Sequence, residues 1–306
     1  MATFDLPSGM RVFERGWLSA NNVLFTGGEQ TVLVDSGYCT HSDQTLALVE
    51  DALHGRALDV LVNTHLHSDH CGGNAALQSR YPQLHTLIPP GQAEYVQHWD
   101  PVALTYQPTG QLCPSFIFSD TLQPGGAISF GGSLWEIHAA SGHDPHSVVF
   151  FEPIQKVLIS ADALWQNGFG VVFPELEGDQ AFSEVAATLS LIETLAPRTV
   201  IPGHGPVFAY TPQILAVARD RLSAFIKSPE RHARHAAKVL LKFKLLELQQ
   251  VALVEFRAWA SATTYIKHVH NNFFSEMDFG EWVNVMIAEL VRSNVAHTAD
   301  NLIVNI

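Results

Sequence analysis

The segment at residues 64–74 concentrates side chains that bind metal ions. It reads Thr-His-Leu-His-Ser-Asp-His-Cys-Gly-Gly-Asn and places three histidines and one aspartate within six residues. Residues two apart in extended backbone point the same way, so His65 and His67 can reach one ion together. Asp69 and His70 follow, just before two glycines that permit a tight helix start, and a second ion would find them there. Packing alone rarely collects these residue types, so the segment predicts a metal site.

Three further candidate ligands each come just after a predicted strand. His143 lies in Ser-Gly-His-Asp-Pro, Asp162 ends Val-Leu-Ile-Ser-Ala-Asp, and His204 lies in Ile-Pro-Gly-His-Gly-Pro. Each one alone is typical of a turn, because glycine beside a histidine serves turns as well as ligand sites. Together with the first segment they complete two nitrogen-and-oxygen sites, which suit zinc or a similar divalent ion.

Short apolar runs predict the strands and helices that position these residues. Helical periodicity covers 42–53 and 182–195. Strands are predicted at 12–13, 23–25, 31–35, 58–62, 127–130, 134–138, 147–151, 156–160 and 199–202. Between them, residues 91–124 mix aromatic side chains with prolines and are expected to form short helices and loops. This segment could be a lid, a dimer contact or an ordinary insertion. Strands in both halves with helices between them predict two packed sheets flanked by helices.

Residues 221–306 differ from the rest of the chain in charge and in pattern. Residues 1–220 carry 7 Lys and Arg against 22 Asp and Glu, whereas the tail carries 10 against 8. Ser228-Pro229-Glu230 is a typical helix start, and further helices are predicted at 251–269 and 281–292. A hairpin with Asp300-Asn301 near its turn is expected to end the chain. We therefore predict two domains, 1–220 and 221–306.

Composition limits the classes of protein to consider. The 306 residues are 47% hydrophobic and 15% charged, which provides for a sizeable core, and the net charge of −13 disfavours nonspecific binding to phosphate backbones. Three widely spaced cysteines indicate a reducing compartment rather than a disulfide scaffold. No apolar run of eighteen residues and no leader pattern is found, so a soluble cytoplasmic protein is expected.

The order of these motifs resembles that of the metallo-β-lactamase superfamily. Thr-His-x-His-x-Asp-His-x-Gly-Gly, Gly-His, an aspartate after a strand and Pro-Gly-His-Gly follow one another, and Val-Asp-Ser-Gly at 34–37 resembles the family's first motif. The resemblance covers about residues 10–210. It implies an α/β fold, the αββα sandwich, with metals at one edge of the sheets. The tail adds a small helical, winged-helix-like domain.

The resemblance also implies roles for the candidate residues. One metal would be held by His65, His67 and His143, the other by Asp69, His70 and His204, with Asp162 bridging them. Asp35 would orient ligands through hydrogen bonds rather than bind metal. The cofactor is then two divalent ions, zinc in the first place, with iron or manganese as alternatives. A metal-bound hydroxide would attack a carbonyl or phosphoryl group, and Asp69 would carry a proton to the leaving group.

The substrate stays open between several classes. The first is a small carbonyl compound, meaning a thioester, ester or lactone, although the tail does not match the glutathione-holding segment of glyoxalase II. The second is nucleic acid, because the tail resembles the winged-helix appendage of β-lactamase-like endoribonucleases. Its helix carries a stripe of basic residues that would touch phosphates: Arg231, Arg234, Lys238 and Lys242. A redox-active iron protein and a metal-free binding protein are weaker alternatives. A homodimer also stays open, while Trp165, Phe169 and Phe173 are candidates for an apolar pocket wall.

Overall fold

The chain forms two compact units. The computed structural model describes residue 4 and residues 6–306. Within these, the first unit comprises the chain up to Leu104 together with Leu112–Ser223, and the second comprises Thr105–Gln111 and Ala224–Ile306. The sequence pattern did not associate residues 105–111 with the tail. The domain boundary after residue 220 stays a prediction.

The first unit contains two six-stranded sheets, each ordered along the chain. In the first sheet the three leading strands are antiparallel and the later ones parallel. Its strands are β1 (Met10–Phe13), β2 (Asn22–Phe25), β3 (Val32–Val34), β4 (Val60–Val62), β5 (His85–Ile88) and β6 (Asp120–Thr121).

The second sheet is antiparallel except for its β10–β11 pair, which is parallel. Its strands are β7 (Ala127–Phe130), β8 (Ser133–Ala139), β9 (Val148–Glu152), β10 (Val157–Ala161), β11 (Thr199–Pro202) and β12 (Phe208–Ala209).

The two sheets pack face to face through side chains that alternate along each strand between the two faces of its sheet. In β2, Val23 and Phe25 enter one core cluster with Phe130 and Trp135 of the second sheet, whereas Leu24 enters a different cluster. That second cluster joins the outer face of the first sheet to helical residues such as those of segment 42–53. Because successive strand residues point to opposite faces, β2 is covered on both sides. The predicted αββα sandwich is confirmed.

Helices connect and cover the strands. The first unit holds α1 (Ser42–Leu53), α2 (Ser68–Cys71), α3 (Asn74–Arg80), α4 (Ala93–His98), α6 (Phe173–Leu176) and α7 (Ala181–Leu195), whereas α5 (Tyr106–Thr109) lies in the second unit and α8 (Pro212–Lys227) spans the boundary. The helices predicted at 42–53 and 182–195 are present. Elements between residues 74 and 90 were not predicted from the sequence, because α3 and β5 are too short to show a clear period. No helix among the described residues is long and apolar enough to cross a bilayer.

The second unit combines helices with a three-stranded sheet. Its main elements are α9 (Pro229–Leu248), β13 (Gln250–Ala252), α10 (Leu253–Ala262), α11 (Thr264–Phe273), α12 (Phe279–Arg292), β14 (Ala296–Ala299) and β15 (Leu302–Asn305). The sheet order is β13-β15-β14. The expected hairpin is present, and its turn residues Asp300 and Asn301 have φ of 50° and 63°, a conformation that Asp and Asn tolerate.

The predicted single helix at 251–269 is wrong. Residues 250–252 pair with β15 instead, and Thr263 interrupts the remainder with extended backbone (φ −73°, ψ 113°). Both deviations occur at or beside β-branched residues, Val251 and the pair Thr263-Thr264, which favour extended conformations. The sequence period could not reveal the break, because α10 and α11 are each apolar on one side.

Candidate metal centre

The seven candidate ligands lie in connections that follow the carboxyl ends of four strands. Four of them lie after β4, in α2 and in the residues just before it. The remaining three follow β8, β10 and β11, one after each strand. In chain order these ligands are His65, His67, Asp69, His70, His143, Asp162 and His204. The structure brings all seven together, in one group of three and one group of four.

Glycines let the ligand-bearing connections approach one another. A Cβ on Gly203, just before His204, would lie 2.1 Å from Asp162 Oδ1 and 3.0 Å from His70 Cε1. A Cβ on Gly72 would lie 2.4 Å from the Ser68 carbonyl oxygen. Real Cβ atoms do not approach so closely, so only glycine allows this packing. Gly72 and Gly203 therefore allow the ligand-bearing segments to pack against one another.

Three imidazole nitrogens converge in the first group. His67 Nδ1 lies 3.1 Å from His65 Nε2 and 2.9 Å from His143 Nε2. Nitrogens that share a tetrahedral zinc ion at its usual bond length are roughly 3.3 Å apart. The spacing of the three atoms therefore fits one ion.

The second group pairs imidazoles with carboxylates. His204 Nε2 lies 2.9 Å from Asp69 Oδ2, and His70 Nε2 lies 3.5 Å from Asp162 Oδ1 and 3.9 Å from Asp69 Oδ2. These are the donor atoms of a nitrogen-and-oxygen site for a divalent ion.

Asp162 faces both groups. Its Oδ2 lies 3.3 Å from His143 Nε2 in the first group and 3.8 Å from His204 Nε2 in the second. Its side chain is 7% exposed, so the carboxylate is almost fully removed from water. A buried carboxylate between two groups of imidazoles is suited to bridging two cations.

One buried atom tests whether the site fits metal. His70 Nε2 is fully enclosed and has no hydrogen-bond partner among the described residues, although it points toward Asp162 and Asp69. A buried polar atom left without a partner is costly, and such atoms are rare. A metal ion would satisfy this nitrogen, so the residues present fit the implied ions.

Asp35 holds the ligands from behind. Its carboxylate oxygens lie 2.7 Å from His70 Nδ1, 2.9 Å from the Thr64 backbone nitrogen and 2.8 Å from Thr64 Oγ1. This contact leaves His70 Nε2 as the ligating atom, since the other ring nitrogen is engaged. On the other side of the site, His143 Nδ1 contacts the Val171 carbonyl oxygen in the same way.

Asp144 and Trp165 also contact the ligands. The sequence did not predict Asp144, and it predicted Trp165 only as part of an apolar pocket wall. Asp144 is buried, and its Oδ2 lies 3.8 Å from His67 Nε2, on the side of the ring away from the first group. The indole nitrogen of Trp165 donates a hydrogen bond of 3.1 Å to Asp162 Oδ1. Their only sequence signal is proximity: Asp144 follows His143 directly, and Trp165 comes three residues after Asp162.

Burial favours the neutral form of two histidines in the first group, His65 and His143. It lowers the pKa of His65 well below its usual value and that of His143 to about 4, and neighbouring imidazoles act in the same direction. Neutral imidazole is the form that binds metal. His65 and His143 can therefore accept an ion at neutral pH without losing protons.

In the second group, carboxylates raise the pKa values of the histidines. Burial opposes protonation of His70, yet Asp35, Asp162 and Asp69 together raise its pKa well above the usual value. Burial likewise opposes protonation of His204, and Asp162 and Asp69 raise its pKa. Excess negative charge in this group therefore attracts either protons or a cation, and a divalent ion would replace the protons.

Cys71 and the predicted wall residues take different positions. Cys71 is fully buried and directs its Sγ to the His67 carbonyl oxygen, outside both ligand groups. Phe169 is 1% exposed and lies in the interior beneath the Arg221 guanidinium. Trp165 and Phe173 are half-buried and contact ligand rings. Only these two of the three predicted wall residues lie partly exposed beside the ligands.

Comparison with known proteins places this arrangement in a family. The profile of the metallo-beta-lactamase superfamily matches residues 15–204, which is more than half of the chain. Hydroxyacylglutathione hydrolase of Haemophilus ducreyi is 29% identical over 148 residues, covering 48% of this chain and 51% of that protein. The same enzyme of Thermosynechococcus vestitus is 28% identical, covering 39% and 40%. The chain thus spans about half the length or less of these curated relatives.

Solved structures show the same fold. The B3 metallo-beta-lactamase BLEG-1 is 20% identical with a TM-score of 0.55, covering 67% of this chain and 99% of that one. The protein TTHA1623 in a di-iron-bound form is 26% identical with a TM-score of 0.53, covering 68% and 96%. A metallo-beta-lactamase family protein from Thermus thermophilus is 14% identical with a TM-score of 0.56, covering 97% and 99%. From its matched profile, sandwich fold and two ligand groups, the chain belongs to the metallo-beta-lactamase superfamily.

Proposed function

We propose that the protein is a dinuclear metal-dependent hydrolase of carbonyl substrates. The observation that carries the proposal is Asp162, a buried carboxylate shared by a three-histidine group and an Asp-His-His group. In this assignment Asp162 would be shared by two ions, and each ion would be held by three further residues: His65, His67 and His143 for one, and Asp69, His70 and His204 for the other. When bound, two divalent ions supply a nucleophile from water at neutral pH and polarise the substrate oxygen.

Charge balance supports hydrolysis of a neutral carbonyl. The seven ligands contribute two carboxylates and five imidazoles, so two divalent ions keep a net positive charge. That charge favours the anion that develops when a carbonyl group is attacked. Asp35 and Asp144 hold ligand rings in place, so the site is prepared before substrate arrives.

We assign to Asp69 the delivery of a proton to the leaving group. In the metal-free protein, burial alone would raise the pKa of this carboxyl, but His70 and His204 outweigh it and lower the pKa, so the group is ionised before metal binds. An ionised carboxylate is able to accept a proton. Asp69→Asn keeps the size of the side chain and removes this capacity. We expect a fall of about 100-fold or more in kcat, a typical size for proton transfer. Because Asp69 is also an assigned ligand, turnover is compared at a zinc concentration that fills both sites in the variant. Full turnover at full metal occupancy would refute the role.

Zinc is the proposed metal. Three imidazoles on one ion, and imidazole with carboxylate on the other, are ligand sets that zinc accepts. Iron is the principal alternative, because the similar protein TTHA1623 is described in a di-iron-bound form. Elemental analysis of protein expressed with both metals in the medium distinguishes them, since the resident metal is the one retained through purification.

Thioesters, esters and lactones are the proposed substrates. The curated relatives act, by their names, on a hydroxyacyl thioester of glutathione, which supports a thioester among these. The test is turnover of a panel of acyl thioesters, lactones and aryl esters by zinc-reconstituted protein, with single-stranded RNA in parallel. His65→Ala is expected to abolish carbonyl hydrolysis. The control is His138→Ala, since this histidine pairs with Glu136 outside both ligand groups.

The panel also tests the nucleic-acid alternative, which the second unit does not favour. Arg234 and Lys238 form ion pairs with Glu289, and the Lys242 ammonium donates to the Val295 carbonyl oxygen. Three of the four basic residues of the expected stripe therefore serve internal contacts. RNA cleavage that disappears in His65→Ala would restore this alternative, and carbonyl turnover with intact RNA supports the proposal.

A further inference from the structure

Partly exposed aromatic rings border both ligand groups. We call Trp17, Trp165 and Phe173 the aromatic rim. Trp17 is 57% exposed and stacks on the His204 ring, with centroids 5.4 Å apart and planes 13° apart. Trp165 stands roughly perpendicular to both of these rings, with centroids 5.4 Å from Trp17 and 5.6 Å from His204. More than half of this indole is therefore open to solvent immediately beside a buried candidate ligand.

The loop that carries Trp17 is tied to the ligand-bearing connections. The Ala20 backbone nitrogen donates to the Asp69 carbonyl oxygen at 2.9 Å, and the Asn21 backbone nitrogen donates to the Gly203 carbonyl oxygen at 2.7 Å. The Asn21 amide also donates to the carbonyl oxygens on either side of this turn, those of Pro202 and Gly205. The backbone three and four residues after Trp17 is therefore fixed relative to both aspartate and histidine ligands.

Phe173 borders the other ligand group. Its ring centroid lies 5.8 Å from that of His67 and 6.3 Å from that of His143. Trp17 and Trp165 adjoin His204 of the second group, so the rim has a part beside each proposed ion. If the carbonyl group of a substrate lies between the ions, the substituents of that carbonyl group would contact the aromatic rim.

The cations of residues 1–220 lie elsewhere. Five arginines have partners away from the ligands: Arg11 with Asp51, Arg15 with Asn22, Arg56 with Thr26, Arg80 with Glu50 and Arg219 with Glu193. Lys156 and Arg198 precede β10 and β11, at the ends of these strands opposite to Asp162 and His204. Arg221, the next cation of the same unit, packs over the ring of Phe169. Among residues 1–220, the described surroundings of the ligands thus offer aromatic faces rather than cationic groups.

We propose that the site takes carbonyl substrates with a flat apolar group, and that Trp17 determines this specificity by stacking on that group. The inference rests on the proposed function and narrows its substrate class. Stacking between aromatic groups contributes beyond the burial of their area, which gives such a substrate an advantage over an alkyl one. The class is an aryl-bearing thioester, ester or lactone, rather than one recognised through its carboxylates.

The test compares two thioesters of one thiol, phenylacetyl and acetyl, so that the leaving group is constant. Trp17→Ala is expected to lower kcat/KM for the phenylacetyl substrate roughly 3- to 10-fold through KM, and to change the acetyl value less than about twofold. Trp17→Phe is expected to restore most of the difference. Ile154→Ala is the control, because it removes an 85% exposed apolar side chain from the turn between β9 and β10.

A binding measurement separates this proposal from the proposed function. Calorimetry follows binding of the two corresponding thioethers, which lack the scissile carbonyl, to wild type and to the Trp17 variants. Tighter binding of the phenyl compound, lost in Trp17→Ala, supports the specificity even where neither thioester is hydrolysed. If Trp17→Ala weakened binding of both thioethers equally, or of neither, the role of Trp17 in specificity would be wrong. Turnover of both thioesters would still be evidence for the hydrolase.

Discussion

Asp35 shows how one residue organises the metal centre. It occupies the turn after β3 with a φ of 58°, a conformation that Asp tolerates better than most residues, and it bonds both Thr64 and His70. A single carboxylate thus fixes the start of the ligand segment and the orientation of a ligand ring. Its role is in positioning, because neither ligand group includes it.

Replacing Asp35 with asparagine tests this positioning. Asp35→Asn keeps the shape but removes the negative charge that faces His70 Nδ1, so we expect metal affinity to fall by about 10- to 100-fold. Competition with a chromophoric chelator measures the affinity. Asp59→Asn is the matched control, because Asp59 accepts hydrogen bonds from the Thr31 backbone and hydroxyl away from the ligands. Equal affinity in the wild type and Asp35→Asn would contradict the role.

The candidate ligands could be singled out from the sequence, whereas most of the residues that support them could not. The ligands share residue types and a recurring place just after strands, so pattern and spacing identify them. Trp17 and Asp144 have no such signal. Trp17 lies 187 positions before His204, on which it stacks, and only the packing of the two sheets brings them together.

Helix α9 shows the same limit at the scale of an element. Its basic residues share one side of the helix by spacing, which fits a solvated face, a phosphate-binding stripe or an internal network equally well. The structure supports an internal network, because Glu289 of α12 lies opposite Arg234 and Lys238. Likewise, the helix predicted to begin at residue 251 begins only at Leu253, because residues 250–252 pair with β15.

Lys242 fastens α9 to the end of the chain. Its ammonium donates to the carbonyl oxygens of Val295 and Ile306 and to Asn305 Oδ1. Lys242→Met removes these hydrogen bonds, so we expect the free energy of unfolding of the second unit to fall by about 1–3 kcal/mol. Urea unfolding followed by circular dichroism measures the change, with the exposed Arg231→Met as control. An unchanged midpoint in Lys242→Met would show that these contacts are not stabilising.

Glu289 makes the stability of the second unit depend on pH. Burial opposes ionisation of this carboxyl, but hydrogen bonds from Lys238 and Arg234 outweigh it and lower the pKa. A lowered pKa means that the stabilisation is complete above the unfolded value of about 4.3 and is lost as pH falls through the folded value. The advantage of wild type over Glu289→Gln in urea unfolding should therefore be constant from pH 7 to pH 5 and shrink below pH 4. An advantage that grows on acidification would contradict this sign.

The scale of the whole molecule explains why residues far apart in sequence meet. The connections after β4, β8, β10 and β11 come from two different sheets, and face-to-face packing of these sheets brings their ligands together. The sequence was sufficient to predict the sandwich, because alternating apolar strands in both halves admit few other arrangements. Association of residues 105–111 with the second unit was not predictable, since this contact depends on tertiary packing alone.

The most direct test of the dinuclear hydrolase is a metal titration of turnover. Metal-free protein receives zinc in fractional equivalents, and hydrolysis of the phenylacetyl thioester is followed at each ratio. Because Asp162 faces both ligand groups, we predict that turnover rises to a plateau at two equivalents of zinc per chain. A plateau at one equivalent would contradict the dinuclear centre, and hydrolysis that does not depend on added metal would contradict a metal-dependent enzyme.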